Sequence, residues 1–343
     1  MRPPRILFIA NAGLDVGGGH VMRSLTLART FIERGADVRF LASPEAQRVL
    51  DVFGRDIQTV PVASPAPAHL VAAAQGQAFE AVVFDHYDLG RNEHQAIAGD
   101  RPSLVIDDLA NRPLGGDLVL DPGPARDPRD YVGLIGTTRL LLGPAYAPVR
   151  SRFASLRETA LKRRSDPVRR ILVALGLTDV GGITARVVRQ LQRFDGDLVF
   201  CVVVGGGSAA VPELRDLARQ DARIELHVDA RDMAELTVAA DIAIGAAGST
   251  TWERCILGLP SVIVVLADNQ RPAAEALRAL EAALVLDVAD AGFDAGLEAA
   301  VHLLISDDAL RHRISASSAA LCDGLGAGRV ADAFFALIAG SRT

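Results

Sequence analysis

The feature that most constrains this sequence is the alternation of short apolar runs with longer stretches of helical periodicity. The apolar runs are continuous, which is typical of parallel strands covered by helices on both faces. Strands are predicted at 5–10, 37–42, 81–85, 103–107, 117–121 and 139–142, and again at 170–174, 198–204, 224–227, 242–245, 261–265 and 283–286. A strand followed by a helix, repeated this often, indicates an α/β fold built on parallel sheets.

The 343 residues suggest two domains, at about 150 residues per domain. Residues 148–167 are rich in Arg and Lys and contain no strand run, so the repeat is interrupted there. A single barrel would need eight evenly spaced units, whereas this break favours two doubly wound, Rossmann-like domains that face a cleft. We expect domains at 1–150 and 169–322, a helix and linker at 151–168, and a C-terminal segment, 323–343, whose helix (predicted at 328–339) could cross back over either domain.

Charge and cysteine content exclude several classes of protein. The chain carries 36 basic and 42 acidic residues, a net charge of −6, with no dense basic stripe of the kind that binds nucleic acid. Three separated cysteines (Cys201, Cys255 and Cys322) argue against a disulfide framework or a cysteine-ligated zinc. No run reaches the ~18 apolar residues of a spanning helix, and the first is too short for a signal peptide. We expect a cytoplasmic monomer with no nucleic-acid partner and no stable membrane insertion.

A glycine-rich loop, NAGLDVGGGHVMRS, follows the first strand. Its three consecutive glycines match neither the G-x-G-x-x-G dinucleotide fingerprint nor a P-loop. Such a turn between a strand and a helix still presents free N–H groups and the positive end of a helix dipole. The loop, with Gly18 and Gly19, is therefore a candidate anion site.

His20 is the informative residue of this loop, because it starts the helix predicted at 21–34 and its glycine neighbours are expected to leave the ring uncovered. The positive end of the helix dipole disfavours the imidazolium, which favours a ring able to accept a proton. The alternative is that His20 only caps or packs the helix start. Arg23, one turn later, could hold a carboxylate or phosphate, although a solvated helix face is its simpler interpretation.

A second small-residue turn follows the strand ADIAIGAAG and runs into STTWERC. Hydroxyls and unpaired N–H groups at a helix start suit a pyrophosphate, and the candidates are Gly248, Ser249, Thr250 and Thr251. Glu253 could accept hydrogen bonds from the two hydroxyls of a ribose. In the alternative interpretation, Ser249 or Thr250 is an N-cap and Glu253 the far member of a capping box.

Asn269 and Gln270 follow the next strand, at the carboxyl end where open α/β sheets bind ligands. A polar turn is the simpler interpretation of this pair. Two anion sites on two similar domains suggest a ligand cleft, because domain interfaces are frequent small-ligand sites.

Several motifs together resemble a known family. GGGHVMRSLTLA, FDHYDL, VIDDLANRP, LLGPAYAPVR and GAAGSTTWERCILGLPSVIVVLADNQ, in this order between about residues 5 and 280, resemble the UDP-2,4-diacetamido-2,4,6-trideoxy-β-L-altropyranose hydrolases of pseudaminic acid biosynthesis. The first and last motifs are specific, whereas D-D-L and L-G-P are weak. The resemblance implies a GT-B-like fold, no metal and no cofactor, and a role connected with flagellin glycosylation.

The resemblance also implies a reaction and residue roles. Water attacks the anomeric carbon of a UDP-sugar, UDP leaves and the configuration inverts, with His20 as general base. The implied diphosphate site is formed by Gly248, Ser249, Thr250 and Thr251, and Glu253 binds the ribose. The implied substrate contacts are Gly18, Gly19, Arg23, Tyr87, Asp107, Asn269 and Gln270. For Asp107 and its neighbour Asp108, stabilising a turn is an alternative role.

The sequence departs from the family pattern at three places. Ala10 and Asn11 replace the usual R-x-D element, Leu177 replaces a glycine, and the sequence at 121–123 is Asp-Pro-Gly in place of D-Q-N. These departures leave the sugar substituents open. Two other functions also stay open: a glycosyltransferase with the same donor, and a non-catalytic sensor that would have no use for a histidine in the first loop.

Overall fold

The computed structural model describes residues 2–13 and 17–341 in two compact units. The first unit is formed by Met1–Val149 with Leu325–Thr343, and the second by Arg150–Gly324. Positions 1, 14–16 and 342–343 lie outside the described residues. They include part of the first glycine loop and the end of the predicted C-terminal segment.

The first unit contains a seven-stranded parallel sheet in the order β3-β2-β1-β4-β5-β6-β7. Its strands are β1 (Arg5–Ala10), β2 (Asp37–Ala42), β3 (Gln58–Pro61), β4 (Ala81–Asp85), β5 (Ser103–Ile106), β6 (Leu118–Asp121) and β7 (Arg139–Leu142). Its helices are α1 (Gly19–Glu33), α2 (Pro44–Phe53), α3 (Pro67–Gln75), α4 (Arg91–Ala98) and α13 (Gly326–Gly340). The register pairs Ala10 at the end of β1 with Asp85 at the end of β4, so these two strands end side by side.

Helix α13 packs on α1, so the core of the first unit combines residues from the first and the last parts of the sequence. The Phe334 ring lies 5.6 Å from the buried Phe31 ring, and both belong to the core that also contains Phe8. Gly326 starts the helix close to the Ala147 backbone, where a Cβ would come 2.2 Å from the Ala147 carbonyl oxygen. The last helix thus completes the core of the first unit, where the sequence left its destination open.

The second unit contains a six-stranded parallel sheet in the order β10-β9-β8-β11-β12-β13. Its strands are β8 (Arg170–Ala174), β9 (Val199–Val204), β10 (Ile224–Val228), β11 (Ile242–Ala246), β12 (Ser261–Val265) and β13 (Leu284–Asp287). Its helices are α5 (Ser151–Lys162), α6 (Ile183–Leu191), α7 (Val211–Gln220), α8 (Met233–Ala239), α9 (Thr250–Ile256), α10 (Arg271–Ala279), α11 (Phe293–Ser306) and α12 (Asp308–Leu321). The central strands β9, β11 and β12 are buried on both faces, which confirms the predicted α/β class with two doubly wound sheets.

The segment 151–168, for which the sequence predicts a helix and linker, is largely packed structure of the second unit. It forms α5 and a 3-10 turn, Arg163–Ser165. Arg157 on α5 donates hydrogen bonds to the carbonyls of Ile256, Ala319 and Cys322, which attaches the helix to this unit. In the described part of the chain, none of the helices has the length and hydropathy that crossing a membrane requires.

Candidate functional site

The first polar cluster forms where β1, β4 and β5 end next to α1. Gly18 precedes the helix, and its carbonyl accepts the first helical hydrogen bond, from Met22. His20, Arg23 and Ser24 are spaced i, i+3 and i+4 and share one face of α1. Because Asp85 ends the adjacent strand β4, its carboxylate lies against this face.

The Asp85 carboxylate binds all three side chains of that face. His20 Nδ1 lies 2.5 Å from Asp85 Oδ1, Arg23 donates to both carboxylate oxygens at 2.6 and 2.8 Å, and Ser24 donates at 3.1 Å. An ionised carboxylate only accepts hydrogen bonds, so His20 Nδ1 carries the proton. In the neutral ring this leaves Nε2 as the acceptor. Arg23 Nη2 also lies 3.1 Å from Nδ1, but both atoms are donors in this tautomer, so Nη2 donates to Asp85 instead.

The charges of this cluster stabilise one another. Burial alone would raise the pKa of Asp85, but Arg23 and His20 outweigh burial and hold that pKa well below its ordinary value. Arg23 also donates to Asp108 at 2.7 Å. Burial alone would lower the pKa of Arg23, whereas Asp85 and Asp108 raise it well above its ordinary value. Arg23, for which a solvated face is the simpler interpretation of the sequence, is thus a buried ion-pair centre, 8% exposed.

The His20 ring is less accessible than the flanking glycines suggest, because it is only 5% exposed. The sequence-based expectation of an uncovered ring was wrong for a physical reason: the ring turns inward to reach Asp85. Tyr87 packs edge-on against it, with 4.4 Å between ring centroids. The Tyr87 hydroxyl donates to Asp108 at 2.8 Å, so Tyr87 joins the cluster.

Asp107 belongs to a different network, at the end of β5. Its carboxylate is fully buried and accepts hydrogen bonds from Arg112, from the Ala110 N–H and from the Tyr131 hydroxyl. Burial and two neighbouring carboxylates raise the pKa of Tyr131 far above its ordinary value, so the phenol keeps its proton and donates it. This geometry favours the turn-stabilising role for Asp107, and it is the half-buried Asp108 that joins the cluster of His20.

His86, next to Asp85, is a second buried histidine near the cluster. Burial lowers its pKa to about 4, and its Nδ1 accepts a hydrogen bond from the Asp88 N–H. His86 is therefore uncharged at neutral pH and adds no positive charge beside His20. In the described residues, no group of three or more His, Cys, Asp or Glu side chains is arranged to hold a metal ion.

The second candidate site is the turn between β11 and α9 in the second unit. Gly248 is exposed, Ser249 and Thr250 are half-buried, and Thr251 is buried. Ser249 is the N-cap residue, yet its side chain makes no capping hydrogen bond. The capping interpretation therefore does not account for Ser249, and its hydroxyl is not committed to the helix. Helix α9 has only seven residues, so its dipole is a minor contribution to any anion site.

Glu253, the predicted ribose ligand, is ion-paired with Arg150. The guanidinium donates twice to Glu253 Oε1, at 2.7 and 2.9 Å, and both side chains are largely buried. Arg150 also lies over the Phe153 ring, 5.0 Å from its centroid. This pair fixes the Glu253 rotamer through Oε1 and leaves Oε2 for a ligand.

Asn269 and Gln270 lie in a 3-10 turn, Asp268–Gln270, after β12. Gln270 Oε1 accepts a hydrogen bond from the Leu266 N–H at 3.0 Å, which closes the turn. Asn269 is exposed. The structure thus gives Gln270 the polar-turn role that is its simpler interpretation, and Asn269 is the member of the pair more accessible to a ligand.

Sequence reasoning missed three residues of these sites: Asp85, Arg150 and Arg254. The sequence indicates Asp85 only as the end of a strand, although an acidic residue at the carboxyl end of a parallel strand is a usable signal. For Asp108 the sequence leaves the same two interpretations as for Asp107, a sugar contact or a turn. Arg150 and Arg254 stand in the quoted motifs, but nothing in their spacing reveals the partners that the fold gives them.

Three relatives of known sequence, each from a different organism, show what this chain is similar to. The uncharacterised protein MJ1062 of Methanocaldococcus jannaschii is 24% identical over 278 residues, 78% of this chain and 57% of that protein. The UDP-2,4-diacetamido-2,4,6-trideoxy-β-L-altropyranose hydrolase of Campylobacter jejuni is 20% identical over 272 residues, 79% of this chain and 94% of the hydrolase. The spore coat polysaccharide biosynthesis protein SpsG of Bacillus subtilis is 27% identical over 208 residues, 60% of each chain. No protein-family model matches the sequence.

These relatives confirm the resemblance to the hydrolase that the motifs indicate, at the level of distant similarity. The chain spans 57% of the length of MJ1062 and 60% of the length of SpsG.

Solved structures establish the fold. MurG of Acinetobacter baumannii matches 97% of this chain and 99% of its own with a TM-score of 0.67 and 17% identity. The calicheamicin glycosyltransferase CalG4 matches 98% of both chains with a TM-score of 0.64 and 18% identity. The predicted GT-B-like fold class is therefore confirmed.

Proposed function

We propose that this protein is an enzyme of nucleotide-sugar chemistry that hydrolyses a UDP-linked sugar with inversion at the anomeric carbon. The similarity to the Campylobacter hydrolase, which extends over 94% of that protein, supports this reaction. The substrate class that follows is a UDP-linked diacetamido-trideoxy-hexose, in the biosynthesis of pseudaminic or a related nonulosonic acid.

The observation that carries the proposal is the hydrogen bond from His20 Nδ1 to Asp85. Because Asp85 accepts a hydrogen bond from the Nδ1–H group, the Nε2 lone pair is available to accept a proton from water. The hydroxide equivalent attacks the anomeric carbon as the bond to the UDP oxygen breaks, and UDP leaves with that electron pair. The proton ends on His20, and the resulting imidazolium is stabilised by Asp85.

The second unit supplies the nucleotide-binding part of the proposal. The N–H groups and hydroxyls at 248–251 bind the diphosphate, and Glu253 Oε2 binds the ribose. A diphosphate is a good leaving group, so stabilising its developing charge replaces the general acid that glycosidases need. The proposed contacts to the sugar and phosphates come from Gly18, Gly19, Tyr87 and Asn269. Arg23 contributes indirectly, because it holds the carboxylates of Asp85 and Asp108 in place.

A glycosyltransferase is the second candidate, because solved structures that share the fold, such as CalG4, are glycosyltransferases. The same base would then deprotonate an acceptor hydroxyl in place of water. The two functions differ in a simple assay: a panel of UDP-sugars is incubated in water alone, and UDP and free sugar are measured. Release without an acceptor is the expected result. Release only with an added acceptor would establish the transferase, and binding without turnover would establish a sensor.

A further inference from the structure

Arg254, on α9, lies buried beneath the 246–251 turn. The residue is only 4% exposed, and its guanidinium donates to the Ala246 carbonyl at 2.7 Å. It also donates to the hydroxyl oxygens of Thr251 at 3.1 Å and of Thr250 at 3.2 Å. Among the described residues, nothing accepts a hydrogen bond from its Nε. The hydrogen bonds of this buried cation thus converge on the turn already assigned to an anion.

No carboxylate of the described residues lies within ion-pairing distance of Arg254. The adjacent Glu253 is paired with Arg150. Burial lowers the pKa of Arg254 to about 10, so the side chain is still a cation at neutral pH. A buried cation without a counter-ion is costly, and that cost falls when an anion binds nearby.

Gly245 is the reason that the guanidinium fits under the turn. A Cβ at this position would lie 2.4 Å from an Arg254 terminal nitrogen and 2.7 Å from its central carbon. Gly245, the last but one residue of β11, therefore leaves room for a charged group against the strand backbone.

The hydrogen bonds to the threonines set the direction of their protons. Arginine has donors only, so each threonine oxygen accepts from Arg254 and keeps its own O–H for another partner. For Thr251 the Ala246 carbonyl oxygen, 3.3 Å away, can accept a hydrogen bond from that O–H group. In the described residues Thr250 has no such acceptor, so its O–H is free to donate to an anion.

We propose that Arg254 is a positioning residue for a diphosphate: it supplies buried positive charge under the turn and makes Thr250 a hydrogen-bond donor to the ligand. This inference rests on the proposed nucleotide-binding role of the second unit. It adds a residue that acts through the turn, and it makes the turn selective for charged phosphate over a neutral nucleoside.

Arg164 provides a matched control in the same unit. It is also buried, has a pKa lowered to about 10 by burial, and leaves one terminal nitrogen without a partner. Its hydrogen bonds go to the carbonyls of Leu257 and Ala240, away from the turn. Arg164→Met therefore removes a comparable buried cation without touching the 246–251 turn.

The experiment is calorimetric titration of UDP, inorganic pyrophosphate and uridine into the wild-type protein and into Arg254→Met, Arg254→Lys, Thr250→Val and Arg164→Met. We expect Arg254→Met to bind UDP and pyrophosphate about 10- to 100-fold more weakly, because the variant loses the buried charge and the orientation of the charge-assisted Thr250 donor, with uridine affinity unchanged. Lysine should restore part of the affinity, because it keeps the charge without the planar fork. Thr250→Val should weaken UDP binding by about tenfold, and Arg164→Met should leave it unchanged.

The outcomes separate the two proposals. If the wild-type protein does not bind UDP, the proposed function fails and this inference fails with it. If wild-type protein binds UDP and the folded Arg254 and Thr250 variants bind it equally well, only the inference is overturned. Equal losses for UDP and uridine, or an equal loss in Arg164→Met, would show a purely structural role and would also overturn it. If Arg254→Met does not fold, Arg254→Lys and Thr250→Val give the same comparison.

Discussion

The two polar clusters of this protein differ in how their charges are balanced. In the first unit, Arg23 lies between two carboxylates, and Asp85 is bound by every polar side chain that α1 turns toward it. In the second unit, Arg254 lies under the 246–251 turn with hydroxyl and carbonyl partners and no carboxylate at ion-pairing distance among the described residues. Every charged side chain of the first cluster has an ion-pair partner, and in this sense that cluster is balanced without a ligand, whereas Arg254 of the second has no such partner among the described residues.

This difference fits a catalytic role for the first cluster and an anion-binding role for the second. A catalytic base must be held in one tautomer before the substrate arrives, and a balanced cluster of ion pairs does this. A loop that binds an anion gains affinity when its positive charge has no internal partner. The comparison therefore predicts that damage to the first cluster lowers turnover and stability, whereas damage to the second lowers nucleotide affinity.

The largest expected effect is on turnover. His20→Asn removes the proton acceptor, so the rate of UDP release should fall by about 10²–10⁴-fold while UDP affinity stays unchanged. His69→Asn, at an exposed histidine of the same unit, is the control and should keep wild-type turnover. Rates come from UDP release and affinity from calorimetry. Wild-type turnover in His20→Asn would exclude this residue from the reaction.

Asp85→Asn should give the next largest effect, on stability. The substitution leaves Arg23 with one carboxylate and replaces one acceptor oxygen of Asp85 by an NH2 donor, and breaking a buried ion pair costs about 3–5 kcal/mol. Asp56→Asn, which breaks the exposed pair with Arg29, should cost about 1 kcal/mol or less. Urea unfolding measures both. Similar losses of unfolding free energy in the two variants would mean that the ion pairs of the first cluster contribute little to stability.

Acid should destabilise the first unit through His94, whose ring is fully buried against Phe84. Burial lowers the pKa of His94 to about 3, below its value in the unfolded chain, about 6.5. The unfolded chain therefore binds the proton first, and stability falls as the pH drops from about 6.5 toward 3. At pH 4 the loss should be about 3 kcal/mol.

The variant His94→Gln tests this contribution, because glutamine can accept the Gly115 N–H bond and does not titrate. Urea unfolding at pH 7 and pH 4 should show a smaller loss in the variant than in the wild-type protein. The same loss in both proteins would assign the acid sensitivity to other groups.

The smallest expected effect concerns the ion pair that fixes Glu253. Arg150→Gln frees the carboxylate to rotate, and UDP affinity should fall by about three- to tenfold, the equivalent of one lost polar contact. Arg152→Gln breaks the exposed pair with Glu235 and is the control, with no change expected. Calorimetry with UDP measures both. Unchanged affinity in Arg150→Gln would mean either that the Glu253 side chain binds the ribose without the ion pair or that it does not bind the ribose.

Much of the fold could be predicted from the sequence, because the central strands are apolar runs buried on both faces and the helices between them are periodic. Strand β3 was missed: it is a short edge strand that is not fully buried and ends in Pro61, so it lacks the apolar run of a central strand. Helix α13 was expected, but its place on α1 depends on the fit of Phe334 and Gly326, which no local pattern encodes.

The candidate sites could be predicted only in part, because their partners are brought together by the sheet order. The glycine loops identified His20 and the 248–251 turn. Asp85 is 65 residues from His20 and becomes its neighbour only because β4 pairs with β1. Likewise, Arg150 meets Glu253 across 103 residues. Burial of Asp107 and of the His20 ring also follows from tertiary packing and not from sequence spacing.

Hydrogen–deuterium exchange with and without UDP tests the contrast between the two clusters most directly, because it reports protection segment by segment. We expect UDP to slow amide exchange most strongly in the segment 246–254, because the diphosphate supplies the negative charge that Arg254 lacks among the described residues. Amides of 18–24 and 85–87 should change less, because that cluster is already balanced. Protection concentrated at His20 and Asp85, with none at 246–254, would contradict this division of work.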